Sequence, residues 1–501
     1  MFMEQEKKKI KPQQIILAFL CGAAMQFSFS PYDLNWLAVV VIAIWARLLI
    51  KGHHPFLISY AFGFGWFGLG SWWLADTFHL YGGLNYPLAY VCVALVGSIL
   101  AFFPALWGWL SVRIASNSNW IVFVFPATAV LIEWLRGHLF TGLPWTSLGN
   151  LILDTPAIGW AGIVGVYGAA FIPALIAIGL ATFFDRRTTS TAVPALVFCI
   201  LFVWFSPQSV ELEGKEKTVS LVQGNIPQDV KWDRAFLTET MHRYGNLSTA
   251  AADSSDLLIW PEAAIPFFLS RAPGWDQWLK NRVTLWNQPL LFGGLKITDK
   301  KKSSDIPNAQ NGLFLQMPNQ GERHFTGKHH LVPFGEYVPS WLPWLSKLVP
   351  NIADFQAAEN GGVLTASDTI FGSLICYESI FPEEARLRVT QGAQVLVVVT
   401  NDAWYGKSPA AWQHLQAARM RAVETGRYVL RAANTGVSAI IAPDGNIKAT
   451  IPWWTQGVVK GTYRLSNVVT PYQKWGDLPP LMLAGLLILA ACLWRKPWKK
   501  Q

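Results

Sequence analysis

The chemistry of this chain centres on one cysteine. Phe371-Gly-Ser-Leu-Ile-Cys-Tyr-Glu-Ser-Ile380 is an apolar, strand-like run that delivers Cys376 to a polar corner beginning Tyr377-Glu378. Of the five cysteines, Cys21, Cys92, Cys199 and Cys492 each sit inside a long apolar run. Cys376 therefore has no obvious disulfide partner in its own compartment, and reads as either a reactive thiol or an inert buried one. Two further stretches end apolar runs on ionisable residues: Leu258-Ile-Trp-Pro-Glu262, and Gly327-Lys328 followed by His329-His-Leu-Val-Pro-Phe-Gly-Glu336. Open α/β sheets gather their sites at the carboxyl ends of strands, so Glu262 and Cys376 can converge from different strands. A carboxylate beside a thiol can take its proton, and a lysine ammonium favours both a thiolate and an oxyanion. Taken singly, Glu262 after Trp-Pro reads as a turn residue and Lys328 as a solvated charge. Three coincident strand ends are harder to dismiss.

The elements that must position these groups form a soluble segment, about 210–475, long enough for a domain with its own core. Short apolar runs at 218–222, 256–260, 289–292, 312–315, 370–375, 393–400 and 437–441 read as buried strands, with helical stretches such as 411–424 between them. The alternation implies an α/β domain with helices covering a sheet.

The rest of the chain has another character. Apolar residues make up 52%, charged residues only 14%, and there are 26 tryptophans, a membrane-protein composition. Apolar runs long enough to cross a bilayer lie near 14–29, 35–50, 56–75, 88–112, 119–136, 157–184, 190–206 and 478–494, about eight in all. The first has no small-x-small cleavage site and is expected to be retained as a helix. Basic residues fall on alternating sides: Lys7, Lys8, Lys9 and Lys11, then Arg47 and Lys51, Arg113, Arg186 and Arg187, and finally Arg495, Lys496, Lys499 and Lys500. By the positive-inside rule both termini are cytoplasmic and the 210–475 segment is outside. The net charge of +9 is thus spent on orientation and gives no nucleic-acid footprint. The expected domains are 1–209, seven transmembrane helices; 210–475, the catalytic domain; and 476–501, an eighth helix with a basic tail.

Gly63-Phe-Gly-Trp-Phe-Gly68 matches a dinucleotide glycine pattern, but it lies inside a membrane run without a preceding strand, so helix packing is the better account. The chain has no His-Glu-x-x-His, no C-x-x-C and no Gly-x-Ser-x-Gly motif, so neither a zinc hydrolase nor a serine elbow is expected, and no metal or cofactor is called for.

Trp-Pro-Glu262, Lys328 with His-Leu-Val-Pro-Phe-Gly-Glu336, and Cys376-Tyr-Glu resemble the Glu-Lys-Cys constellation of the nitrilase superfamily. With the membrane helices on both sides, the whole chain resembles the apolipoprotein N-acyltransferase family. Phe29-Ser-Pro-Tyr-Asp33, Thr141-Gly-Leu-Pro-Trp145, Val222-Gln-Gly-Asn-Ile-Pro227 and Thr400-Asn-Asp-Ala-Trp-Tyr-Gly406 extend the resemblance along nearly its full length. It implies an αββα sandwich, extracytoplasmic and attached to the bacterial inner membrane. It also implies ping-pong transfer of the sn-1 acyl chain of a phospholipid, phosphatidylethanolamine, to the α-amino group of a diacylglyceryl-modified N-terminal cysteine of an apolipoprotein.

On that resemblance, Glu262 deprotonates Cys376, the thiolate takes the acyl chain as a thioester, and Lys328 with the Tyr377 N–H holds the oxyanion. Glu336, Tyr377 and Glu378 match accessory positions, and Trp232 matches a tryptophan at the lipid entrance. The residues themselves leave other readings open: Trp232 as a membrane-surface anchor, and Glu378 as a structural acceptor holding the strand end. His329 has no expected role, His414 reads as a structural helix residue, and Trp72, Trp73 and Trp145 could line lipid entry. Two rivals share the same residues, a membrane-anchored amidase that passes the acyl group to water, and a transporter or scaffold with an inactive domain. The scaffold is disfavoured because Glu262, Lys328 and Cys376 are all present and the membrane runs lack substrate-path charges, Glu133 and Arg136 coming nearest.

Overall fold

A computed structural model of the chain describes residues 11–115, 118–183, 189–207, 212, 215–299, 308–339 and 355–494. The basic residues Lys7, Lys8, Lys9, Arg186, Arg187, Arg495, Lys496, Lys499 and Lys500 lie outside them. The chain divides into two compact units: Met1–His79, Leu84–Pro207 and Asp477–Gln501 form one, Leu80–Gly83 and Gln208–Gly476 the other.

The first unit is helical. Its elements are α1 (Pro12–Ala24), α2 (Asn35–Lys51), α3 (Pro55–Gly70), α4 (Leu74–Leu80), α5 (Tyr86–Ala115), α6 (Ile121–His138), α7 (Ala161–Ala169), α8 (Phe171–Phe183), α9 (Thr189–Trp204) and a last helix, Leu478–Leu493. A helix thus covers every apolar run. Among the described residues, α5 and α6 are long and apolar enough to cross a membrane by themselves. The 157–184 run, expected as one helix, is two: α7 and α8 meet at a bend of 69°. Hydropathy counts apolar side chains and is blind to the backbone. Gly165 takes a non-helical φ of 67° inside α7, and Pro173 in the first turn of α8 has no N–H to offer the preceding turn. The glycine motif in α3 is a packing device, since a Cβ at Gly63 would come within 2.9 Å of the Ala101 backbone on α5. Glu133 and Arg136 on α6 form a buried ion pair of 2.9 Å. The Ser147 hydroxyl and Leu148 N–H donate to the Glu133 carboxylate, and Arg136 donates to the carbonyls of Leu143 and Trp145. Both charges are consumed in pinning the loop after α6.

The second unit is a four-layer sandwich. One sheet runs β12-β1-β2-β3-β4-β5, from β1 (Lys217–Gln223), β2 (Leu258–Ile265), β3 (Leu290–Asp299), β4 (Asn308–Gln316), β5 (Arg323–Gly327) and β12 (Gly457–Tyr463). The other runs β11-β10-β9-β8-β7-β6, from β6 (Val363–Ala366), β7 (Thr369–Ile375), β8 (Val395–Thr400), β9 (Val429–Ala433), β10 (Ala439–Ile441) and β11 (Ile447–Thr450). Strands β1, β2 and β3 are parallel, as are β7, β8 and β9. Period-two alternation sends Val219, Leu221, Ile259 and Leu291 of one sheet against Phe371, Val395, Val397 and Leu430 of the other. The opposite faces of the same strands pack on helices. Leu258, Trp260 and Phe292 meet Met241 and Tyr244 of α10 (Leu237–Ala252) and Leu279 and Val283 of α11 (Pro273–Trp286). Leu374, Leu396 and Val398 meet Val389 of α12 (Pro382–Thr390) and Leu415 and Ala418 of α13 (Ala410–Thr425). This is the expected αββα arrangement, and burial on both faces is why β8, Val-Leu-Val-Val-Val-Thr, is apolar up to its last residue.

Candidate active site

The parallel strands bring their carboxyl ends together, and the singled-out residues lie there. Beyond β7 the chain turns sharply at Cys376, which takes a left-handed φ of 51° and opens a short 3-10 turn, Cys376–Ile380. Glu378 holds that corner. Its Oε2 accepts from the Ile375 N–H at 2.6 Å, and its Oε1 from the N–H groups of His329 at 2.7 Å and His330 at 3.2 Å, with Arg388 at 3.3 Å. The Cys376 turn is thereby tied to the loop that follows β5 and carries Lys328. Both Glu378 oxygens thus accept hydrogen bonds within that corner.

Glu262 projects from an irregularity in β2. Register with β3 shifts between Trp260 and Ile265, and Ala263 has a φ of 45°. Only glycine fits opposite, because a Cβ at Gly293 would fall 2.5 Å from the Glu262 Cα. Each oxygen of the Glu262 carboxylate accepts a hydrogen bond: Asn311 Nδ2 donates to Oε1 at 2.7 Å, and the Asn401 N–H to Oε2 at 2.9 Å. Lys328 Nζ stands 3.9 Å from Glu262 Oε1 and donates to Glu336, 2.7 Å from Oε2. Glu336 also accepts from the Val332 N–H at 2.8 Å, folding its loop back over the lysine.

The electrostatics follow from burial. Lys328 is 1% exposed. Burial opposes its charge, but the carboxylates of Glu336 and Glu262 outweigh that and raise its pKa, so it stays an ammonium. Burial pushes the Cys376 thiol up to about 12; Glu262 adds to the rise and Lys328 opposes it. The resting sulfur is therefore a protonated thiol with a base and a cation in its field. Such a set can pass a proton from sulfur to a carboxylate while an ammonium awaits negative charge on a carbonyl oxygen. Among the described residues no group of histidine, cysteine and carboxylate side chains could hold a metal ion.

The model of the carbon-nitrogen hydrolase family matches residues 218–470, and that of the apolipoprotein N-acyltransferase N-terminal domain matches residues 21–179. Apolipoprotein N-acyltransferase of Shewanella oneidensis is 34% identical over 98% of this chain and 98% of its own. The protein of the same name from Nitrosomonas europaea is 35% identical over 96% and 97%, and that from Methylococcus capsulatus 36% over 95% and 95%. This chain belongs to the apolipoprotein N-acyltransferase family. Among solved structures, an amidase from Nesterenkonia sp. covers 54% of this chain and 95% of its own, at 16% identity and a TM-score of 0.38.

In this family member the structure groups Glu262, Lys328, Glu336 and Cys376, with Tyr377 and Glu378 in the turn behind the sulfur. Tyr377 is buried, its ring edge-on to Phe381 at 4.9 Å. Trp232 is not part of that cluster; its side chain is half exposed. Its neighbour Lys231, which the sequence did not single out, is buried and donates from Nζ to the Glu262 carbonyl at 3.0 Å. Burial lowers the Lys231 pKa to about 8, against the pull of Glu262 and Cys376. Asn311, inside β4, and Asn401, just beyond β8, were also missed. His414 is buried on α13 and stands behind Cys376. Its Nε2 is 3.0 Å from the Cys376 carbonyl oxygen and its Nδ1 2.9 Å from Asp402 Oδ1. Ser379 donates to the same Cys376 carbonyl at 2.9 Å. His329 has a partner after all, Glu384 at 2.8 Å, whose hydrogen bond raises the imidazole pKa.

Proposed function

We propose that this enzyme transfers the sn-1 acyl chain of a phospholipid, phosphatidylethanolamine, to the α-amino group of the diacylglyceryl-cysteine that begins an apolipoprotein. In the first half-reaction the Cys376 thiol passes its proton to Glu262 as sulfur attacks the ester carbonyl. The tetrahedral oxyanion is held by Lys328 and the Tyr377 N–H, and Glu262 returns the proton to the departing glyceryl oxygen, leaving an acyl thioester. In the second, the acceptor amine attacks that thioester, an amide forms and the thiol is restored. Glu336 keeps Lys328 in place, Glu378 braces the turn, and Trp232 meets lipid.

One observation carries this reading. A buried ammonium is held between the carboxylates of Glu262 and Glu336 in the field of a buried thiol, within a chain alike over nearly its whole length to N-acyltransferases. A thioester is more reactive toward amines than an oxygen ester, so cysteine suits both half-reactions.

The same reading makes 1–209 and 476–501 membrane-spanning, about eight helices with both ends cytoplasmic, and 210–475 a periplasmic catalytic domain at the bacterial inner membrane. Large apolar side chains on outward helical faces support the membrane assignment, among them Leu95 and Ile99 on α5, Ile200 on α9 and Leu486 on the last helix. Acyl chains reach such a site laterally from the bilayer.

The test is intact mass spectrometry of the purified protein and its Cys376→Ala variant after incubation with phosphatidylethanolamine alone. An acyl-sized gain on the unmutated protein only, stable to water and discharged by a diacylglyceryl-cysteinyl peptide, is the expected result. Discharge by water would favour an amidase, and no adduct on folded protein would remove Cys376 from the chemistry.

A further inference from the structure

Asn311 sits on β4 between the base and the lysine, and its amide is only half used. Its backbone carbonyl accepts the Lys328 N–H at 2.8 Å, which fixes the residue beside β5. Its Nδ2 donates to Glu262 Oε1 at 2.7 Å and lies 3.3 Å from Glu336 Oε1. Two carboxylate oxygens on one side settle which end of the amide is nitrogen, since an amide oxygen there would face only acceptors. The other end, Oδ1, is buried and accepts no hydrogen bond from any described residue. The side chain is 4% exposed, so bulk water does not supply the missing donor freely. A fixed, unpaired acceptor next to the base of a transfer reaction marks a place for a substrate donor.

The second half-reaction brings one. A primary amine attacking the thioester forms a C–N bond and leaves nitrogen positively charged with two hydrogens. One proton goes to Glu262 and on to the sulfur as the C–S bond breaks; the other stays on nitrogen in the product amide. We propose that Asn311 Oδ1 accepts a hydrogen bond from that retained N–H and so orients the attacking amine. The same side chain thus places both partners of the proton transfer, the base through Nδ2 and the amine through Oδ1. This rests on the thioester reading above. It selects for a primary amine, because a secondary amine spends its single hydrogen on Glu262 and turns carbon toward Asn311.

The experiment uses the full-length protein in detergent, acylated beforehand with phosphatidylethanolamine. Discharge of the acyl-enzyme is followed by intact mass at about pH 9, where α-amines are largely unprotonated. The two acceptors are a synthetic diacylglyceryl-cysteinyl peptide with a free α-amine and its N-methyl counterpart. In the unmutated protein the free amine is expected to react about 10- to 100-fold faster, the range for depriving one buried acceptor of its donor. In Asn311→Ala the preference falls below about threefold, because the primary amine slows. Equal rates in the unmutated protein overturn the proposal without any variant. So does a preference that survives Asn311→Ala, or one that collapses because the N-methyl amine speeds up, which would mean crowding. If Asn311→Ala does not fold, Asn311→Ser serves in its place. Failure to form an acyl-enzyme at all overturns the thioester reading and the proposal with it, whereas acylation followed by unselective aminolysis overturns the proposal alone.

Discussion

Glu262→Gln separates a base from a mere charge beside the sulfur. With its pKa pushed up to about 12, Cys376 is almost wholly thiol at pH 8, and forming the anion before attack would cost several kcal/mol. Proton transfer to Glu262 during attack avoids that step, and general bases contribute roughly 10²- to 10⁴-fold. Glutamine keeps the size of the side chain and the hydrogen bond accepted from Asn311. Its amide nitrogen, however, would then face the Asn401 N–H at the position of the present 2.9 Å contact, costing about 1–3 kcal/mol of stability for the unmade bond. Removing the carboxylate also lowers the thiol pKa, because Glu262 is one of the groups that raise it. The variant therefore has a more easily ionised cysteine and a slower reaction. Acyl-enzyme formation should fall roughly 10²- to 10⁴-fold at pH 7 and then climb about tenfold per pH unit as hydroxide replaces the missing base. Alkylation of Cys376 by iodoacetamide should meanwhile shift to lower pH. Single-turnover acylation and alkylation are measured across pH 6–10, with a thermal melt to confirm folding. Acylation within tenfold of the unmutated protein, or alkylation moved to higher pH, would refute Glu262 as the base.

Lys328→Met leaves the Glu262 and Glu336 carboxylates buried without their cation; loss of acyl-enzyme and a destabilisation of about 3–5 kcal/mol are expected, read by intact mass and thermal melting. Lys231→Met deprives the Glu262 carbonyl of its donor, and both stability, by about 1–3 kcal/mol, and acylation rate should fall, with Lys231→Arg restoring the rate if the tether is what matters. Asp402 is held down to about 2 against an ordinary 3.8; burial alone would raise it, and the Arg431 and His414 charges reverse that. A depressed carboxylate contributes stability that is present above pH 3.8 and lost as pH falls through about 2, here on the order of 2 kcal/mol. Asp402→Asn should flatten that acid limb in a melting series from pH 6 to pH 2, and an unchanged limb would exclude Asp402 as its source.

What could be read from sequence divides along the sheet edges. The runs taken as strands correspond to β1, β2, β3, β4, β7, β8 and β10, all interior, where burial on two faces demands unbroken apolar sequence. The strands that went unread include all four edges, β5, β6, β11 and β12. An edge strand such as Ile447–Thr450, Ile-Lys-Ala-Thr, buries little and so carries little pattern. The interior strand β9 was hidden by Arg431, a guanidinium fully buried because it binds Asp402 at 2.7 Å. The site divides in the same way. Glu262, Lys328 and Cys376 were visible because each ends an apolar run. Asn311, Asn401 and Lys231 act through hydrogen bonds to a residue distant in sequence, and nothing in their own neighbourhoods announces it.

The missed residues change how the site works. About the sulfur stand the carboxylates of Glu262 and Glu336, the Lys328 ammonium, and Lys231, whose pKa burial lowers to about 8 and whose Nζ is tied to the Glu262 carbonyl, with the thiol neutral. Moving the Cys376 proton to Glu262 exchanges a carboxylate for a thiolate and leaves the sum unchanged. Releasing the same proton to water would leave an extra buried negative charge, which low-dielectric surroundings penalise heavily. Internal transfer is therefore favoured over prior ionisation, and a thiol pushed up to about 12 is no obstacle to nucleophilic attack.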